Sequence, residues 1–125
     1  IPLRLVGSEM CIRDSGKAVA VLAKLTAAPT SVLVVSTASG TASKPVWEQE
    51  LSAGAVCMNL EHAASALGFS SSWITDWYSY DTDALPLFGL RKGEKVAGFI
   101  HIGTAVEPLL ERERPDVAAL TTTLP

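Results

Sequence analysis

At 125 residues the chain is long enough for one domain and too short for two. Hydrophobic residues make up 48% of it and charged residues 18%, which suits a chain that buries a real core. The net charge of −3 and the scattered basic residues exclude a nucleic-acid binder with a basic stripe, and no apolar run reaches the roughly 18 residues of a membrane span.

Residues 1–16 have no strand alternation, and Arg4, Glu9, Arg13 and Asp14 interrupt any amphipathic period. They lack the continuous apolar stretch and small-residue cleavage site of a secretory signal. The string GSEMCIRDS (Gly7 to Ser15) resembles a translated sequencing-adapter read-through. Residues 1–16 are therefore expected to be a non-native segment, and residues 17–125 the part that folds.

Residues 17–27 predict a short helix, with Val19, Leu22 and Leu25 at helical spacing and Ala28-Pro29 as its stop. Residues 31–37 (SVLVVST) predict a buried strand: a β-branched run without charge, bounded by Pro29 and Gly40. Residues 45–67 predict the main helix, with Ser43 as N-cap and Pro45 near the first turn. Trp47, Leu51, Ala55, Met58, Ala63 and Leu67 trace one apolar face, and Val56, Leu60 and Ala64 broaden it. The helix is therefore expected to be buried over most of its circumference, with Gly68 as its C-terminal stop.

Residues 69–75 predict a strand or extended segment, followed by an aromatic loop from Asp76 to Tyr80. A short helix begins at Asp81 and ends before Gly89, and residues 91–94 form a turn. Residues 95–103 predict a strand with Val96, Gly98, Ile100 and Ile102 on one side and Ala97, Phe99 and His101 on the other. The tail from Thr104 is irregular. This order gives an α/β or α+β layer built around a sheet.

The residues offer little chemistry on their own. Cys11 and Cys57 lie far apart, with no CxxC and no His at ligand spacing, so no zinc site is expected. Cys57, among Ala, Val and Met, reads as a small buried apolar residue, and reduced thiols fit a cytoplasmic protein. Glu48, Glu61 and His62 read as a solvated or interface face of the helix, and His101 as a hydrogen-bonded structural histidine. Trp77, Tyr78 and Tyr80 suit either aromatic packing or the lining of a substrate or dimer cleft.

Five segments, in order, carry a resemblance. AAPTSVLVV (Ala27 to Val35) is similar to "APxxIVV", and PVWEQELSAGAVCMNLEHAASALGF (Pro45 to Phe69) to "P.WEQ..SAGAA.MNL..AA.ALGFG". SWITDWYSYD (Ser72 to Asp81) is similar to "W.TGW.AYD", LFGLRKGEKVAGFIHIGT (Leu87 to Thr104) to "LGL..GE.IAGFIHIGT", and ERERPDVAAL (Glu111 to Leu120) to "ERPRPDL..L". These patterns belong to the FMN-dependent nitroreductase family, in its small single-domain branch. The resemblance implies a three-layer α+β fold with a central sheet and a long buried helix. It also implies a homodimer that binds FMN at its interface, with NAD(P)H as co-substrate and nitroaromatics, quinones or related compounds as electron acceptors.

By the same resemblance, Trp73, Ile74 and Thr75 lie along the flavin ring, and Arg112 and Arg114 reach the FMN phosphate, where guanidinium makes charge-assisted hydrogen bonds. Without the resemblance, Trp73 and Thr75 read as packing and strand residues, and the arginines as a solvated tail beside Glu111 and Glu113. The sequence departs from the family pattern at Asp76, where glycine is common. Glycine tolerates φ > 0 and close approach to a ligand, and a carboxylate adds charge beside a ring that is often anionic when reduced. The family's N-terminal Arg-Arg-Ser phosphate motif and the Pro-Trp segment that follows it have no match in this chain. The chain therefore reads as a C-terminal part of such a domain. The alternative is a catalytically incompetent fragment, or an FMN-free interaction module of the same fold.

Overall fold

The structure is a computed structural model and describes residues 15–108 and 110–124. Residues 1–14, which include Cys11 and all of the adapter-like string but Ser15, lie outside the described residues.

Helix α1 (Ser15–Ala23) runs into a 3-10 turn (Lys24–Thr26), and strand β1 (Thr30–Ser36) follows. Helix α2 (Val46–Ala66) leads to strand β2 (Ser70–Ile74). Two 3-10 turns (Trp77–Ser79 and Leu85–Phe88) precede strand β3 (Lys95–Gly103), and a one-turn helix α3 (Val117–Leu120) lies in the tail. β3 has the predicted bounds. The N-cap of α2 is Pro45 rather than Ser43. Gly68 (φ 83°) and Gly89 (φ 81°) occupy the left-handed region where a helix or turn must stop, as their positions predicted.

The sheet has the order β1-β3-β2, with β3 antiparallel to both neighbours. β1 and β2 thus run parallel, with β3 inserted between them, and α2 supplies the long crossover that parallel strands require. α2 packs against all three strands.

The core sits on the other face, where Leu33, Ile74 and Phe99 pack with Leu22, Leu25, Tyr78 and Phe88. Phe99 meets Tyr78 and Phe88 edge-on at ring-centroid distances of 5.2 Å each, the arrangement aromatic quadrupoles favour. The result is helix and turns on one face, sheet, and helix on the other. This agrees with the predicted three layers.

Two expectations about side-chain direction are corrected. Val19 is 65% exposed, and Val21 packs instead with Leu22 and Leu25. Val96 packs on the Phe99 side rather than with Ile100. The register explains it: Val34 pairs with Gly98 but Val35 pairs with Val96, so Ala97 is an extra residue that flips what precedes it.

The larger correction concerns α2. Its buried residues are Cys57 and Ala64. The covered side carries Ala53, Gly54, Cys57, Leu60 and Ala64, of which all but Leu60 are small and let the helix come close to the sheet. Trp47 (68% exposed), Leu51 (54%) and Met58 (45%) stand in solvent. The apolar stripe read as core-facing points away from the sheet, so the helix is half-covered.

Candidate functional site

The segment Trp73-Ile74-Thr75 is the end of β2 and the first residue beyond it. Trp73 pairs with Ile100 and Ile74 with Phe99, so their side chains leave on opposite faces. Ile74 enters the Tyr78–Phe99 core. The Trp73 indole covers Gly98 and reaches toward Gly54 of α2, with Cη2 4.0 Å from where a Cβ on Gly54 would be. Its Nε1–H donates to the carbonyl of Ala97 at 3.1 Å. That carbonyl belongs to the extra residue of the β3 bulge. The indole is thus committed to the helix–sheet contact, in line with a packing role for this ring.

Thr75 is exposed, and its Oγ1 accepts a hydrogen bond from the Tyr80 hydroxyl at 3.2 Å. Asp76 has extended backbone (φ −137°, ψ −178°) that any residue adopts, so replacing glycine strains nothing. Its Oδ1 accepts from the Trp77 N–H at 2.8 Å, and its own N–H donates to Ser79 Oγ at 3.3 Å. This reciprocal cap starts the turn Trp77–Ser79. Its Oδ2 lies 3.6 Å from Lys24 Nζ, so the carboxylate faces a cation at the end of α1. The pattern Asp76-x-x-Ser79 was a visible capping signal that a reading of this stretch as an aromatic loop passes over.

A cavity of about 430 Å³ opens beside this segment, lined among others by Lys24, Pro29, Ser72, Ile74, His101 and Thr104. His101 is buried, and its Nδ1 is 2.7 Å from Ser31 Oγ, the structural hydrogen bond expected of it. Ser31 Oγ also lies 3.4 Å from the Leu25 carbonyl, and His101 Nε2 is buried and without a partner among the described residues.

Of the five predicted site residues, Ile74 alone lines this cavity. Arg112 and Arg114 lie in the irregular tail and are exposed. Arg114 Nε and Nη2 hold Glu111 Oε1 at 2.8 and 2.6 Å. An exposed pair of this kind contributes about 0–1 kcal/mol, so a dianionic ligand could displace the glutamate. Among the described residues, no hydrogen bond or ion pair joins either arginine to Trp73–Thr75. No group of three or more potential metal ligands occurs among them, and no described helix is long and apolar enough to cross a membrane.

With this geometry in place, comparison with known proteins gives a consistent set of likenesses. The sequence model of the Nitroreductase family matches residues 13–104. "Putative NAD(P)H nitroreductase YdjA" of Escherichia coli (strain K12) is 35% identical over 77 residues, which is 62% of this chain and 42% of that protein. "Putative NAD(P)H nitroreductase" of Haemophilus influenzae is 39% identical over 87 residues, 69% of this chain and 47% of that protein. The chain thus spans about half the length of the curated relatives it matches. Among solved structures, a nitroreductase-like family protein from Bacillus cereus superposes with a TM-score of 0.76 at 15% identity, over 90% of this chain and 59% of that one. At that identity the likeness is one of fold.

Proposed function

Because the chain belongs to the nitroreductase family, we propose that it is part of an FMN-dependent oxidoreductase that passes electrons from NAD(P)H to nitroaromatic, quinone or related acceptors. Bound FMN would supply the hydride and electron chemistry, and the protein its position and electrostatics. The observation that carries the reading is the segment from Trp73 to Asp76. It is paired to β3 on one side and fixed by a capped turn on the other, and it presents an exposed hydroxyl at Thr75.

The donor chemistry of the residues fits the group. Thr75 and the backbone around it would hold the edge of the flat ring, and Arg112 and Arg114 would hold the phosphate. The compensated carboxylate of Asp76 supports the same reading, since its charge faces Lys24 and is partly offset there. The apolar side of α2 (Trp47, Leu51, Met58) supports a homodimer in which a second copy covers that face. Buried thiol Cys57 accords with a cytoplasmic setting.

Titration of FMN into the purified protein tests the proposal. Quenching of flavin fluorescence, followed by FMN-dependent oxidation of NADH or NADPH with a nitroaromatic acceptor, is the expected result. Absence of flavin uptake favours the second reading, a fold without the cofactor. The observation behind that reading is the tail, where Arg114 is already held by Glu111 and neither arginine is joined to Trp73–Thr75.

A further inference from the structure

We infer that Tyr80 is a positioning residue that fixes Thr75 as a hydrogen-bond donor toward the bound flavin, and thereby raises the flavin's reduction potential. The inference rests on the flavin reading above and concerns one hydrogen bond within it.

Tyr80 lies five residues after Thr75, and three features set that approach. The Asp76–Ser79 cap closes the turn, and the amides of Tyr80 and Asp81 both bond to the Trp77 carbonyl at 3.1 Å. Between them Tyr78 is fully buried among Phe88 and Phe99, which anchors the arc to the core. Tyr80 is left 70% exposed, held through its main chain, with its hydroxyl returned to Thr75 Oγ1.

Each hydroxyl has a single proton. The Tyr80 proton is spent on Thr75 Oγ1, so the Thr75 proton must point elsewhere, and Thr75 is exposed. A threonine that accepts one hydrogen bond is also a more polarised donor in the next. Tyr80 thus biases the contact: with one lone pair occupied and its own proton free and polarised, Thr75 meets the ligand preferentially as a donor. A donor at the ring edge stabilises the electron-rich reduced ring more than the oxidised one. Tyr80 itself need not touch the flavin.

The test is the reduction potential of FMN bound to the unsubstituted protein, Tyr80→Phe, Thr75→Val, Thr75→Ser and the double variant Tyr80→Phe/Thr75→Val. Tyr80→Phe is expected to shift the potential to more negative values while FMN affinity changes little. Thr75→Val is expected to shift it further, Thr75→Ser to restore it, and the double variant to match Thr75→Val alone. An unshifted potential in Tyr80→Phe overturns the inference, and so does an equal Tyr80→Phe shift with valine at position 75. Failure of the unsubstituted protein to take up FMN overturns the flavin reading, and this inference with it.

Discussion

The indole of Trp73 occupies the space that any side chain at position 98 would need. A Cβ built on Gly98 lies 2.0 Å from Trp73 Nε1 and 2.4 Å from Cδ1. Gly98→Ala must therefore expel the ring or displace the strand. Overpacking of this kind costs about 1–3 kcal/mol. The cost should be visible in urea unfolding and should shrink in a Trp73→Leu background, where the ring is gone. Equal costs in the two backgrounds would show that the ring is not the obstacle.

Gln49 ties the loop after β1 to the first turns of α2. Its Nε2 donates to the carbonyls of Ser39 (3.0 Å) and Lys44 (2.7 Å), and its Oε1 accepts from the Ser39 N–H (3.2 Å). Gln49→Ala removes all three bonds and should cost about 1–2 kcal/mol. The Ser39 amide should then exchange with solvent faster than the strand amides of β1. Unchanged exchange at Ser39 would show that the loop is held by something else.

Tyr78 links stability to alkaline pH. Burial pushes its phenol above the ordinary value of 10.0, and the Asp76 carboxylate adds to the rise. The folded protein therefore keeps the proton where the unfolded chain has lost it. The stability this gives is complete below pH 10 and is lost as pH rises past 10 toward the folded value. Tyr78→Phe should flatten that alkaline fall in thermal unfolding. Near neutral pH the change should be within about 1 kcal/mol, because the buried hydroxyl has no partner among the described residues. An alkaline fall as steep in the variant as in the unsubstituted protein would assign it to other groups.

The outward face of α2 predicts an effect on assembly rather than on folding. Leu51 is half-exposed, beside Trp47 and on the side away from the sheet. Leu51→Glu should leave the circular dichroism spectrum unchanged and convert a sedimenting dimer into a monomer. A protein that is monomeric before substitution would remove the dimer from the proposed function.

Local rules made much of the fold legible in the sequence. β3 could be bounded to the residue, because a charged turn precedes it and an almost uncharged apolar run fills it. Gly68 and Gly89 could be placed because the termini they end need a left-handed residue. The direction of α2 could not be read. Its larger apolar residues (Trp47, Leu51 and Met58) look like a core stripe, yet the sheet contact is made by small residues such as Gly54 and Ala64, which give periodicity little weight. That Val96 turns to the Phe99 side is illegible for a different reason: no residue type announces the bulge at Ala97. The candidate site was legible as a segment, Trp73 to Thr75, through resemblance. Its hydrogen bonds, Tyr80 to Thr75 and Asp76 to the Trp77 amide, depend on how a turn closes.

The strand order leaves β1 and β2 as the outer strands of the described sheet. Their sequences, TSVLVVS and SSSWI, hold no charge and no proline, the devices by which edges ordinarily discourage further pairing. Unpaired amides and carbonyls along such borders form a template for any extended peptide. Strand addition at these two borders of the described sheet should therefore show as a rise in thioflavin fluorescence when the protein is concentrated.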